Sequence, residues 1–105
     1  MFVRTPEQEQ LAELARDFCR STLGPTLEAD DDAEVFRRDL FDALGAQGLC
    51  GMPTPEEYGG MGLGYLDYVI VLEEIARISA SYAVSVAVTG LPQVILSKFG
   101  TEEQK

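Results

Sequence analysis

The stretch Met52-Pro53-Thr54-Pro55-Glu56-Glu57-Tyr58-Gly59-Gly60-Met61-Gly62-Leu63-Gly64 divides this chain of 105 residues. Two prolines set a rigid start, an acidic pair and one aromatic follow, and the run closes on glycines at 59, 60, 62 and 64. So many residues that cannot continue a helix or a strand predict a shaped loop. Gly60-Met61-Gly62-Leu63-Gly64 invites comparison with a nucleotide-binding loop. A dinucleotide fingerprint needs a preceding strand and a third glycine at the right offset, and a phosphate loop needs Gly-Lys-Ser/Thr; neither is present. The glycines are therefore read as letting the backbone turn tightly against neighbouring helices rather than as an anion cradle.

Two helical patterns precede the loop. Thr5-Pro6-Glu7-Gln8 is a helix start, with Thr5 as N-cap, Pro6 in the first helical position and Gln8 placed to close a capping box. Leu11, Leu14, Ala15, Phe18 and Cys19 then form one apolar stripe, and Gly24-Pro25 stops it, which predicts a helix over residues 6–21. Residues 26–33 carry Glu28, Asp30, Asp31 and Asp32. Their spacing lacks the glycine and terminal glutamate of a calcium loop, so they are read as a solvated linker whose last acids cap the next helix. That helix is expected over 33–47 with Phe36, Leu40, Phe41 and Leu44 inward. Gly48 suits the left-handed position after its end, and Leu49 the closing apolar contact.

After the loop, residues 65–79 are apolar nearly all round, which predicts a central helix covered on several sides. Glu73 and Arg77 stand four apart in the favourable order. The adjacent Glu73-Glu74 is read as structural, because neighbouring residues on a helix point about 100° apart and cannot flank one bond as acid and base. In Tyr82-Ala83-Val84-Ser85-Val86-Ala87-Val88-Thr89 the alternation favours a strand, yet no second strand-like run exists to pair with it. Gly90 is expected to end that element, and Pro92 to open a short helix closed by Gly100. Thr101-Glu102-Glu103-Gln104-Lys105 reads as the cap and first turn of a further helix, so the chain is expected to be a piece of a longer protein.

Composition narrows the function. With 46% hydrophobic and 25% charged residues, the chain is ordinary globular material of single-domain length. A net charge of -10, with only 8 Lys and Arg, argues against nucleic acid and against an anionic membrane surface. The absence of histidine removes imidazole acid–base catalysis and His-containing metal sites. Cys19 and Cys50 lack metal or redox spacing and are expected as buried thiols in a reducing compartment. Arg4 and Glu7 precede any apolar run, so no signal peptide is read. The most apolar window, residues 82–96, is too short to span a bilayer and is interrupted by polar residues. A soluble cytoplasmic protein is expected.

Three ordered motifs carry a resemblance. The segment from Leu44 to Gly62, then Leu72-Glu73-Glu74-Ile75-Ala76-Arg77, then Lys98-Phe99-Gly100-Thr101-Glu102-Glu103-Gln104-Lys105 are similar to the N-terminal domain of acyl-CoA dehydrogenases. The likeness runs from about Thr5 to the last residue. It departs at Arg37, where family members often have proline, and at Pro92, where many have glycine or another small residue. The resemblance implies an all-α fold, an orthogonal or irregular bundle of about five to six helices, and decides for a helix over residues 82–89. It implies that residues 1–105 are the N-terminal helical domain, with the middle β-domain and the C-terminal helical domain absent.

The activity it implies is FAD-dependent α,β-dehydrogenation of an acyl-CoA or carrier-bound acyl thioester, by a full-length protein that is usually a tetramer. The flavin and the carboxylate base would lie mainly outside this chain, leaving it inactive alone. Carried over position by position, Val84, Ala87, Val88 and Leu91 would face the acyl chain; the alternative that they are plain core residues stays open. No catalytic, cofactor-binding or metal-ligating residue is assigned. Acyl-CoA oxidases and flavin monooxygenases share the domain, and a stand-alone helical interaction module is the alternative of a different class.

Overall fold

The computed structural model describes residues 3–105 and contains no strand among them. Five α-helices follow in order: α1 (Pro6–Thr22), α2 (Leu27–Asp32), α3 (Arg38–Ala46), α4 (Tyr65–Ile78) and α5 (Ala80–Phe99). The all-α expectation holds. With α2 only six residues long, four longer helices carry the fold, slightly fewer than expected.

The cap on α1 forms as its sequence dictates. The Gln8 N–H donates to Thr5 Oγ1 at 3.1 Å, and the Thr5 N–H donates to Gln8 Oε1 at 2.9 Å. Of the expected stripe Ala15 and Cys19 are buried, together with Ala12, whereas Leu14 is 66% exposed. Small residues at the contact let α1 lie close against α4, while Leu11 and Phe18 flank the seam.

Residues 26–33 are not a linker. A 3₁₀ turn (Gly24–Thr26) leads into α2, whose end is closed by the Glu34 N–H on the Asp31 carbonyl (3.1 Å) and the Val35 N–H on the Asp30 carbonyl (2.9 Å). That is a Schellman closure, with Glu34 in the left-handed position at φ 56°. It breaks the helix expected over 33–47 and delays α3 to Arg38. The acids of α2 do not cap α3, which has no side-chain cap; Arg37 at its N-cap instead pairs with Asp39 (2.8 Å) and Asp30 (3.8 Å). Phe36, expected inward, is 56% exposed, though its ring stacks on Tyr82 at 5.8 Å. Leu44 is buried, Gly48 takes φ 84° and Leu49 seals the turn, as expected of that helix end.

The Met52–Gly64 loop folds on itself. The Met61 N–H donates to the Gly51 carbonyl (3.0 Å), that of Gly62 to Thr54 (2.8 Å) and that of Leu63 to Met52 (2.8 Å). Met52 is fully buried beneath it. Gln93 of α5 ties the loop down: its amide donates to the Cys50 carbonyl at 2.7 Å and its Oε1 accepts from the Thr54 hydroxyl.

Ser79, extended at φ −153°, separates α4 from α5 and accepts from the Tyr82 N–H at 3.3 Å. The two short elements expected after it are one 20-residue helix that runs through Gly90 and Pro92. Pro92 withholds an N–H only from the Val88 carbonyl and sits, like Val88, on the exposed side, where the loss is least costly. The strand-like alternation gives way because Tyr82, Ala83, Val86 and Gly90, at helical spacing, are the residues that α5 buries. At 20 residues and a mean hydropathy of 1.4 over its best window, α5 is long and apolar enough to cross a bilayer by those two measures, so the length argument against a span fails.

Packing runs α1 on α4 and α4 on α5, with Val71 and Ile75 of α4 meeting Cys19, Leu44, Leu49 and Val86 in one core. α4 is thus central as expected, packed between α1 and α5. Tyr65, Leu66 and Val69 are 59%, 50% and 54% exposed.

Candidate acyl-chain wall on the outer face of α5

Val84 stands three and four residues before Ala87 and Val88, and Leu91 four and three after them, so α5 places them in one stripe. Val84, Val88 and Leu91 are at least 60% exposed and therefore not core of this domain; Ala87 is half-buried. Two apolar hollows open beside the stripe. One, of about 390 Å³, runs between α4 and α5 over Val69, Leu72, Ala76, Val84 and Ala87. The other, of about 320 Å³, lies between α5, the start of α4 and the loop, lined by Pro53, Tyr65, Tyr68, Ala87, Gly90 and Leu91. Ala87 borders both. Apart from Glu73 in the first hollow and the two tyrosines of the second, the lining is hydrocarbon, which suits an apolar chain.

Sequence patterning missed Tyr68, Gly90 and Pro53. The usable signal was Tyr68 on a helix with almost no polar face, four residues before Leu72. Tyr68 donates to the Ala87 carbonyl at 3.5 Å, and burial raises its hydroxyl pKa above the usual phenol value.

Residues 5–105 match the family model described as the N-terminal domain of acyl-CoA dehydrogenase. The chain belongs to the acyl-CoA dehydrogenase family. An acyl-CoA dehydrogenase of Bacillus subtilis is 37% identical over 102 residues, covering 96% of this chain and 27% of the relative. The human mitochondrial short-chain specific acyl-CoA dehydrogenase is 40% identical over 105 residues, covering 98% of this chain and 26% of its own. Among solved structures, a chain described under "Electron transferring flavoprotein of Acidaminococcus fermentans: Towards a mechanism of flavin-based electron bifurcation" superposes with a TM-score of 0.88 at 34% identity, covering 99% of this chain and 28% of that one. The chain thus spans about a quarter of the length of these family relatives.

The family's motifs have physical counterparts here. In Leu72–Arg77, Glu74 is fully buried between α1 and α4, while Glu73 on the next residue is 57% exposed. Glu74 accepts from Arg16 Nε at 3.0 Å and Nη2 at 3.3 Å, with Arg4 at 3.6 Å and Arg77 at 3.9 Å. Arg77 therefore turns to Glu74 rather than to Glu73, which meets Arg4 at 3.6 Å. In the closing motif, Thr101 and Gln104 form a reciprocal box, and the Tyr58 hydroxyl donates to Glu102 at 2.8 Å. The two cysteines are free: Cys19 is buried and Cys50 half-buried. Burial pushes the Cys19 thiol up to about 11 and raises Cys50 as well, so neither is a thiolate nucleophile at neutral pH.

Proposed function

We propose that α5 forms one wall of the acyl-chain site of an FAD-dependent acyl-CoA dehydrogenase, with Val84, Ala87, Val88 and Leu91 against the hydrocarbon. The observation that carries this is the uncovered apolar stripe bordered by two hollows that meet at Ala87. FAD would supply the acceptor for the β-hydride while a carboxylate base removes the α-proton, and both groups would come mainly from outside these 105 residues. The glycine loop fits no flavin phosphate: the amides of Gly59, Gly60, Met61, Gly62 and Leu63 all donate within the loop and its flanking turn. The part left to this domain is to exclude water from the acyl chain and to orient it, which raises reactivity by positioning alone.

On this reading the bare faces of α4 and α5 pack against the other domains of the same polypeptide, in an oligomer, and not against lipid. Gln93 supports that choice, since it sets a polar tie to Cys50 and Thr54 within the most apolar helix. Two unpaired thiols favour a reducing compartment such as the cytoplasm.

Ala87→Phe in the full-length protein is expected to lower kcat/KM for long acyl thioesters by about tenfold or more beyond any loss on short ones, because filling a hollow excludes the larger ligand first. A uniform loss across chain lengths with a lowered Tm would instead mark Ala87 as a packing residue.

Residues 1–105 purified alone are expected to bind a hydrophobic dye or self-associate, since apolar faces this wide rarely stay bare. They should show no flavin absorbance after incubation with FAD and no turnover of acyl-CoA. A stoichiometrically yellow protein would overturn the assignment of the flavin site to the rest of the chain. The same exposed faces support the second reading, a helical interaction module, which predicts a monodisperse oligomer of this domain without any other domain present.

A further inference from the structure

We propose that the Tyr68 ring is the end-stop of the acyl site, the surface on which the far end of the chain comes to rest. This rests on the placing of the acyl chain along α5 given above. Ala87 is the smallest member of the stripe and the residue that lines both hollows, so the wall between them is lowest there. A chain running along Val84 and Val88 meets that gap and is led toward the 320 Å³ hollow. Of the two rings there, Tyr65 is 59% exposed and stands at the rim, whereas Tyr68 is half-buried and packs against the core cluster behind it. Tyr68 is therefore the floor.

Its position depends on Gly90. A Cβ at residue 90 would lie 2.6 Å from the Tyr68 hydroxyl oxygen and 3.4 Å from the adjoining ring carbon, so a side chain there would push the tip of the ring aside. The hydroxyl turns to the Ala87 carbonyl at 3.5 Å, which leaves ring carbon to meet a hydrocarbon end. Helix, glycine and hydroxyl together hold a flat apolar stop at the base of the hollow.

The test is the chain-length profile of the full-length enzyme on straight-chain acyl thioesters. Tyr68→Ala is expected to move the optimum to longer chains, with a gain approaching about fourfold in kcat/KM for each methylene newly accommodated, the equivalent of ~0.8 kcal/mol. Tyr68→Phe, which keeps the ring, should keep the wild-type cut-off. If Tyr68→Ala does not fold as holoenzyme, Tyr68→Leu carries the same expectation with a smaller shift. An unchanged profile in the Ala or Leu variant, or an equal loss on every substrate, overturns the end-stop. Ala87→Phe separates this from the reading beneath it. If Ala87→Phe alters the profile and Tyr68→Ala does not, the acyl wall stands and the end-stop falls; if neither does, both fall.

Discussion

Glu74→Gln is expected to destabilise the domain by about 2–3 kcal/mol, and a Tm fall of roughly 10 °C or more follows for a domain of this size. The carboxylate is fully buried and is the common partner of Arg16, Arg4 and Arg77. Glutamine keeps the volume but removes the charge, and its NH₂ faces guanidinium donors that it cannot accept from. Removing one partner of a buried pair costs about 3–5 kcal/mol when the other is left sealed from water. Here the Arg16 side chain is 32% exposed, so solvent partly compensates it and the lower figure is expected.

The pH dependence has a definite sign. Hydrogen bonds from Arg16, against the opposing effect of burial, hold Glu74 below the usual carboxylate range. A glutamate in the unfolded chain, near pKa ~4.3, therefore takes up its proton first as pH falls. The stabilisation is complete above about pH 5 and is lost as pH drops through the lower folded value. Urea unfolding followed by circular dichroism should show the gap between wild type and Glu74→Gln closing between neutral and acid pH. A gap of constant size from pH 7 downward would mean that Glu74 acts by packing alone.

Gly60→Ala is expected to cost about 3 kcal/mol, at the upper end of what overpacking does. The new methyl would collide with the Thr54 carbonyl oxygen and lie 2.6 Å from its carbonyl carbon, and backbone cannot rotate aside as a side-chain tip can. Moving Thr54 would break the bond it accepts from the Gly62 N–H at 2.8 Å and its tie to Gln93, so the loop would lose its hold on α5. Gly64→Ala supplies the control. Nothing lies within 4 Å of a Cβ there and φ is −74°, so that variant should stay within about 0.5 kcal/mol of wild type. Thermal unfolding of the two side by side decides the matter: equal stability would show that the loop yields at Thr54 without loss.

Much of the fold was legible because its signals are local. The Thr5–Gln8 box, the left-handed turn at Gly48 and the proline- and glycine-bounded loop each depend on residues within a few positions, whose steric and hydrogen-bonding demands leave one outcome. The stripe at Val84, Ala87, Val88 and Leu91 is different: local alternation favours a strand there, and the family resemblance supplies both the helix and the four positions, which an α-helix then aligns. What failed were particular inferences about which residues turn inward and how far an element runs, although Ala15, Cys19 and Leu44 are buried and α1 and α4 keep close to their expected bounds. Leu14 and Phe36 look like core residues in their own segments, yet the close fit of Ala12, Ala15 and Cys19 to α4 turns Leu14 out, and the Glu34 closure carries Phe36 outside α3.

The sequence by itself determined where the loop lies and that the segments of α1, α3 and α4 are helical, since helix period and turn sterics are properties of neighbouring residues; the helix over residues 82–89 and its stripe come from the family resemblance. Only the tertiary structure decided that α5 runs unbroken through Pro92, that Glu74 rather than Glu73 is buried among arginines, and that Tyr68 lies over Gly90. Each of these is settled by contacts between residues distant in the chain, whose energies no local pattern records.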